Sequence, residues 1–224
     1  MSGGGLRYET YQSGERQEWL MRIGAREAAP VLFVPALFEE MNRTRALIAA
    51  AMRGLAARGL CGWLPDLKGT GESEAALAAA RWDEWRHDVA AAAAHVEQES
   101  GGAPLVASLR GGTLIDDAAT GIGWWRLAPV PGRSLVRDMM RAGLAGVEWA
   151  GYAPSAELRG RLEDAAPMDQ QPLRVVRLKS DAGDADGKID GPALWRRSEP
   201  GSSAELAAAI AEDIAQWRAT CAAS

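Results

Sequence analysis

Histidine is nearly absent from this 224-residue chain: only His87 and His95 occur. Any chemistry that needs an imidazole base must use one of these two. Cysteine is equally scarce. Cys61 and Cys221 are too few and too far apart for a disulfide framework or a zinc site. That composition fits a reducing compartment. No window of about 18 apolar residues appears, so no spanning helix is expected. The opening residues Met1-Ser2-Gly3-Gly4-Gly5 have neither the basic nor the apolar region of a secretion signal and read as a flexible start. Lysine is rare too: Lys68, Lys179 and Lys188 are the only lysines among 25 basic residues. Against 30 acidic residues these give a net charge of −5. No basic stripe carries interleaved aromatics, so nucleic acid is not an expected partner.

What remains is an ordinary globular composition, 47% hydrophobic and 25% charged. A chain this long buries enough apolar surface to fold without a metal or a staple. No linker divides it and no internal repeat is evident, so one domain over residues 1–224 is expected. Residues 6–11 and 18–23 read as two strands around a Ser13-Gly14 turn. Apolar runs at 31–34, 60–64 and 105–108 read as buried strands. Helices are expected at 42–58, 83–98 and 113–119. Residues 126–129 and 173–178 are further strands, and 194–197 a last short one. Residues 134–166 read as an irregular, helix-rich cap segment with a helix at 155–162. Ser202, with Glu205 three residues on, reads as a capping box opening the final helix. Short apolar strands alternating with amphipathic helices indicate an α/β domain with a mainly parallel sheet. Its ligand crevice lies beyond the carboxyl ends of the strands. Residues 35–41, 66–73, 108–112 and 180–190 belong there.

These segments resemble the α/β-hydrolases. Pro35-Ala36-Leu37-Phe38 takes the place of the oxyanion loop. Asp66-Leu67-Lys68-Gly69-Thr70-Gly71-Glu72-Ser73 matches the D-x-x-G-x-G-x-S turn. Ser108-Leu109-Arg110-Gly111-Gly112 takes the place of the G-x-S-x-G elbow. A narrower resemblance is to the exosortase A system-associated hydrolases, type 2. It is carried by Phe38-Glu39-Glu40-Met41-Asn42-Arg43-Thr44-Arg45, Trp82-Asp83-Glu84-Trp85-Arg86-His87-Asp88, Ala150-Gly151-Tyr152-Ala153-Pro154-Ser155 and Gly191-Pro192-Ala193-Leu194-Trp195. It implies an α/β-hydrolase fold and a cytoplasmic bacterial protein linked to exopolysaccharide and exosortase functions. It also implies an arginine at the elbow as a trait the family often carries. Leu37, Phe38, Glu40, Arg110 and Gly111 are the expected ligand contacts.

The elbow has two possible registers. One puts Arg110 at the nucleophile position, with small Ser108 and Gly112 flanking it as a tight turn requires. The other makes Ser108 the nucleophile, with Val106 and Arg110 crowding the turn. Arginine stays protonated and cannot attack a carbonyl. The place after the last strand, around Ser198-Glu199-Pro200, has no histidine, and both histidines precede the elbow.

The candidate residues each have two readings. Arg110 at a helix start suits a carboxylate or phosphate, or an internal ion pair with Glu39, Glu40 or Asp66. Glu39 and Glu40 suit acid–base work or orientation of Arg110, or they complement the charge of a helix N-terminus. Asp181, Asp184 and Asp186 follow the strand that normally supplies the triad acid. Their loop resembles part of an EF-hand but places alanine at both end ligands, which favours a solvated turn over a metal site. Trp124, Trp125, Trp149 and Tyr152 suit a pocket wall or the core. Gly69-Thr70-Gly71 lacks the ending of a phosphate loop.

The expectation is an α/β-hydrolase-fold protein without a working Ser-His-Asp triad and with no metal or cofactor. It would bind a small anionic or acyl-bearing ligand, or a protein partner of the exosortase/exopolysaccharide system, with a homodimer possible. The alternative is an esterase or thioesterase using Ser108, or a carboxylate of Glu39, Glu40 or Asp184 that activates water.

Overall fold

Val31, Leu32, Phe33 and Val34 are fully buried. Consecutive strand residues face opposite sides, so this strand is covered on both faces, as central parallel strands are. The computed structural model of the protein describes residues 5–142, 154–197 and 199–223. It contains β1 (Leu6–Ser13), β2 (Arg16–Ile23), β3 (Ala29–Val34), α1 (Glu39–Ala56), β4 (Leu60–Pro65), α2 (Trp82–Ser100) and β5 (Leu105–Leu109). Then follow β6 (Gly123–Leu127), α3 (Gly132–Ala142), α4 (Ala156–Asp164), β7 (Leu173–Leu178), β8 (Gly187–Ile189) and α5 (Ala204–Ala222). One sheet runs in the order β1-β2-β4-β3-β5-β6-β7-β8. β2 is antiparallel to both neighbours, and every pair from β4 to β8 is parallel.

The core is two layers. Leu32, Val34, Val106 and Trp124 face Trp85 and Val89 of α2 and Leu158 and Leu162 of α4. Val31, Phe33, Ala107 and Trp125 face Leu47 and Met52 of α1 and Ile210 and Ile214 of α5. Trp124 and Trp125 are thus core residues on opposite faces. Their indoles donate to the Asp116 carbonyl and the Asp213 carboxylate. Trp149 and Tyr152 lie outside the described residues.

Four expectations are corrected. Residues 113–119 form no α-helix. Two 3-10 turns, Arg110–Leu114 and Asp116–Ala118, replace it, because Asp116 turns inward to Ser108 and Arg126. The acidic loop contains β8, where Asp186 holds the backbone N–H of Val175. Residues 194–196 form a 3-10 turn rather than a strand, behind Pro192. The cap of α5 is Ser203, whose hydroxyl accepts from Leu206 N at 3.2 Å. No helix separates β7 from β8, whose short link has no room for one.

Candidate functional site

Three strands leave the sheet through strained backbone at the same edge. Phe38 (φ 57°) lies beyond β3, Arg110 (φ 50°) follows β5 and Ala128 (φ 49°) follows β6. Non-glycine residues rarely enter this region. Such strain persists where the surroundings overdetermine it, and it clusters at functional sites.

Arg110 sits at the tip of the turn leaving β5. Gly112 sets how tight that turn is. A Cβ there would lie 2.3 Å from the Pro35 carbonyl oxygen and 2.7 Å from that of Val34. Both are backbone atoms, so only glycine fits. A Cβ on Gly111 would lie 2.7 Å from Leu135 of α3 and 3.3 Å from Leu37, so α3 and the loop after β3 close over this residue.

Ser108 points elsewhere. It is fully buried, and its Oγ donates to Asp116 Oδ2 at 2.6 Å. The same carboxylate takes Arg126 Nε at 2.8 Å and Nη2 at 2.7 Å. Arg126 is the neighbour of Ser108 across β5 and β6 and also donates to the Met168 carbonyl. Burial pushes the Asp116 carboxyl up, and Arg126 and Ser108 pull it back. This network braces the strand below the turn.

Arg110 borders a cavity of about 350 Å³. It is buried, and its Nε donates to both Glu40 oxygens, at 3.1 and 3.2 Å, while Nη2 donates to Oε1 at 2.7 Å. Asp138 of α3 comes within 3.6 Å of Nη2. Among the described residues Nη1 donates to nothing. The guanidinium carbon lies 5.4 Å from the centre of the Trp195 ring. Trp195 is buried in the cavity wall, and its Nε1 has no partner among the described residues. Leu135 and Met139 supply apolar wall, and Glu39, Arg43, Arg141 and Arg196 also line the cavity. Glu39 pairs with Arg43 at 3.4 Å, and Asp181 with Arg196 at 3.3 Å. Burial pushes the Glu40 carboxyl up, and Arg110 partly offsets that.

No protein-family model and no curated protein matches the sequence. Solved structures do. Est1E from Butyrivibrio proteoclasticus, solved with ferulic acid bound, aligns over 94% of this chain and 99% of its own, with a TM-score of 0.65 at 12% identity. A protein of Agrobacterium vitis S4 described as a hydrolase aligns over 95% and 98%, with a TM-score of 0.56 at 14% identity. The fold is that of the α/β-hydrolases. Epoxide hydrolase VrEH1 from Vigna radiata aligns over 56% of this chain at 18% identity and a TM-score of 0.45, and the aligned part spans 40% of that enzyme.

Arg110 thus occupies the strained turn directly after β5, with Gly111 beside it under Leu135 and Leu37. Of the expected site residues, the cavity gathers Arg110, Glu40 and Glu39. Leu37 and Phe38 are buried behind it, Phe38 with its ring edge-on to Trp85 at 5.4 Å. Asp66 pairs with Arg45 rather than Arg110. Asp184 is exposed on the β7–β8 link, its carbonyl held by Arg177. Asp190 pairs with Lys179. Neither histidine borders the cavity. His87 is exposed beside the β1–β2 turn, and His95 is half-buried, edge-on to Trp63, with its pKa lowered by burial. Among the described residues no cluster of metal-ligating side chains occurs and no helix is long and apolar enough to cross a membrane.

Trp195, Asp138, Arg141 and Arg196 were not singled out by sequence reasoning as site residues. Trp195 was visible inside the Gly191–Trp195 motif, but its apparent place in a strand hid its role. Asp138 and Arg141 reach the cavity from α3, which has no motif of its own, and Arg196 follows Trp195 just past that motif.

Proposed function

We propose that this α/β-hydrolase-fold protein binds a small anionic or acyl-bearing ligand in the Arg110 cavity and does not operate a Ser-His-Asp triad. The observation that carries this is a buried arginine in the strained turn after β5, bordering the cavity. Glu40 holds one edge of its guanidinium and leaves Nη1 available to a ligand oxygen. Leu135, Met139 and the Trp195 ring suit an acyl or aromatic body. The motifs that resemble those of exosortase-associated hydrolases support a setting in cytoplasmic exopolysaccharide or cell-envelope work, with the ligand or a partner protein drawn from that system.

Calorimetric titration with acyl carboxylates and acyl phosphates, ferulate included, tests this. Binding is expected in the wild type and is lost in an Arg110→Met/Glu40→Gln double variant, which removes the ion pair as a unit. Retained binding in that variant would sink the proposal. A second reading is ester or thioester hydrolysis by carboxylate-activated water. It is favoured by Glu40, a buried carboxylate of raised pKa bordering the cavity. Chromogenic acyl esters and thioesters, run beside a fluorophosphonate probe, separate the readings. Turnover without labelling, abolished by Glu40→Gln, supports activated water. Labelling of Ser108 with turnover would overturn both. Silence in both assays is the outcome expected from the binding reading.

A further inference from the structure

Arg133, Arg137 and Arg141 recur every four residues along α3. That spacing puts them on one face of the helix, about 6 Å apart along its axis. All three are exposed. Most charged side chains nearby are paired: Arg81 with Glu157, Arg159 with Glu163, Arg161 with Asp83. The three α3 arginines form no ion pair among the described residues, and Arg137 donates only to Ser134 Oγ at 3.4 Å. Beside them Val136 and the half-exposed Met140 floor a groove of about 400 Å³, closed by Glu163 of α4. Arg141 belongs to this groove and also to the Arg110 cavity.

We propose that this ridge docks an extended acidic segment of a partner protein. The proposal goes beyond the reading of Arg110 and does not depend on it. Alternate side chains of an extended peptide lie on one side, about 6.6 Å apart. Carboxylates at alternate positions therefore keep step with arginines about 6 Å apart over three residues. Each planar guanidinium accepts a carboxylate in a two-bond fork. The methylene stems of glutamates cover Met140 and Val136. Because Arg141 also borders the Arg110 cavity, a segment on this ridge ends at the mouth of the crevice. Other polyanions fit less well. Met140 is the only large apolar side chain exposed on this helix, too little for insertion into a lipid surface. No aromatic lies on the ridge to stack a base.

The test is fluorescence anisotropy at low salt with a dye-labelled twelve-residue peptide of alternating glutamate and serine. Its counterpart with glutamine for glutamate serves as control. Wild type is expected to bind the acidic peptide and not the glutamine one. R133Q/R137Q, whose residues lie outside the Arg110 cavity, is expected to weaken binding about fivefold or more. R53Q/R58Q, which removes two exposed arginines from the α1 side, is expected to leave it unchanged. Circular dichroism and melting establish that both variants are folded. Equal binding by R133Q/R137Q and wild type overturns the proposal, as does an equal loss in R53Q/R58Q. Tighter binding through Arg133 and Arg137 to phosphatidylserine-containing vesicles or to oligo-dT than to the peptide also overturns it. An Arg110→Met/Glu40→Gln protein that loses small anions but keeps the peptide shows that the two sites stand apart.

Discussion

Arg110 and Glu40 are each almost sealed from water, and each is tolerable there only because of the other. Removing one partner of a buried pair leaves a charge with neither solvent nor counter-ion, at a cost of about 3–5 kcal/mol, whereas replacing both is often close to neutral. Arg110→Met is therefore expected to destabilise the protein by about that amount in urea titration, and Arg110→Met/Glu40→Gln to recover most of it. A single variant as stable as wild type would mean that water reaches Glu40. Glu18 shows the same physics in a pH dependence. It is buried on β2, with Arg16 on one oxygen at 2.5 Å. Burial is the main cause of its raised pKa, and Asp88 adds to it. An unfolded glutamate titrates near about 4.3. Between that value and the higher folded one, the folded state holds more protons, so Glu18 adds stability as pH falls through this window. Above it the carboxylate is a standing burden on the fold. Glu18→Gln should thus gain on wild type most at neutral pH, and the gain should shrink as the medium is acidified towards pH 4.3. A difference independent of pH would contradict the assignment.

Elements record how far the sequence could be read. β3, β4 and β5 were legible because two-sided burial forces continuous apolar runs, and α1, α2 and α5 because their apolar spacing is helical. β8 was not, since three residues carry no periodicity. The 3-10 turns after β5 were not, since their cause is a side-chain network reaching across to β6. At the crevice, the small residues of Ser108-Leu109-Arg110-Gly111-Gly112 announced a tight turn after β5, and Arg110 stands in it at φ 50°. Trp195 and Asp138 depend on how α3 and the link after β8 fold over it, and nothing local announces that. The turn itself is open to test. A Cβ on Gly112 would strike two backbone carbonyls, which cannot move without shifting β3. Gly112→Ala is expected to cost about 2–3 kcal/mol by chemical denaturation. Gly160, inside α4, faces open space and has no positive φ. Gly160→Ala is expected to stabilise by about 0.5–1 kcal/mol, since glycine is the poorer helix former. The two substitutions are chemically identical and opposite in sign, so the contrast isolates the elbow.

Across the whole molecule the charge is −5, yet the crevice wall holds Arg43, Arg110, Arg141 and Arg196 against Glu39, Glu40 and Asp138. The global field repels an approaching anion while the local one attracts it. Salt screens exposed charges beyond about 10 Å at 0.1 M and acts much less on buried pairs. Added salt therefore weakens the outer arginines first and leaves the contact with Arg110 largely intact. Binding at a buried site also couples to folding, because a ligand that binds only the folded state stabilises it by mass action. At a concentration 100 times Kd the gain is about 2.7 kcal/mol. For a chain of this length that raises Tm by about 5–10 °C. A carboxylate found by titration should therefore shift melting by that amount in wild type. Ser108→Ala should show the same shift, because its hydroxyl serves Asp116 below the turn and not the cavity. Arg110→Met/Glu40→Gln should show none. A shift that survives in the double variant would place the ligand away from the elbow. A shift lost in Ser108→Ala would mean that the serine, despite its burial, belongs to the site.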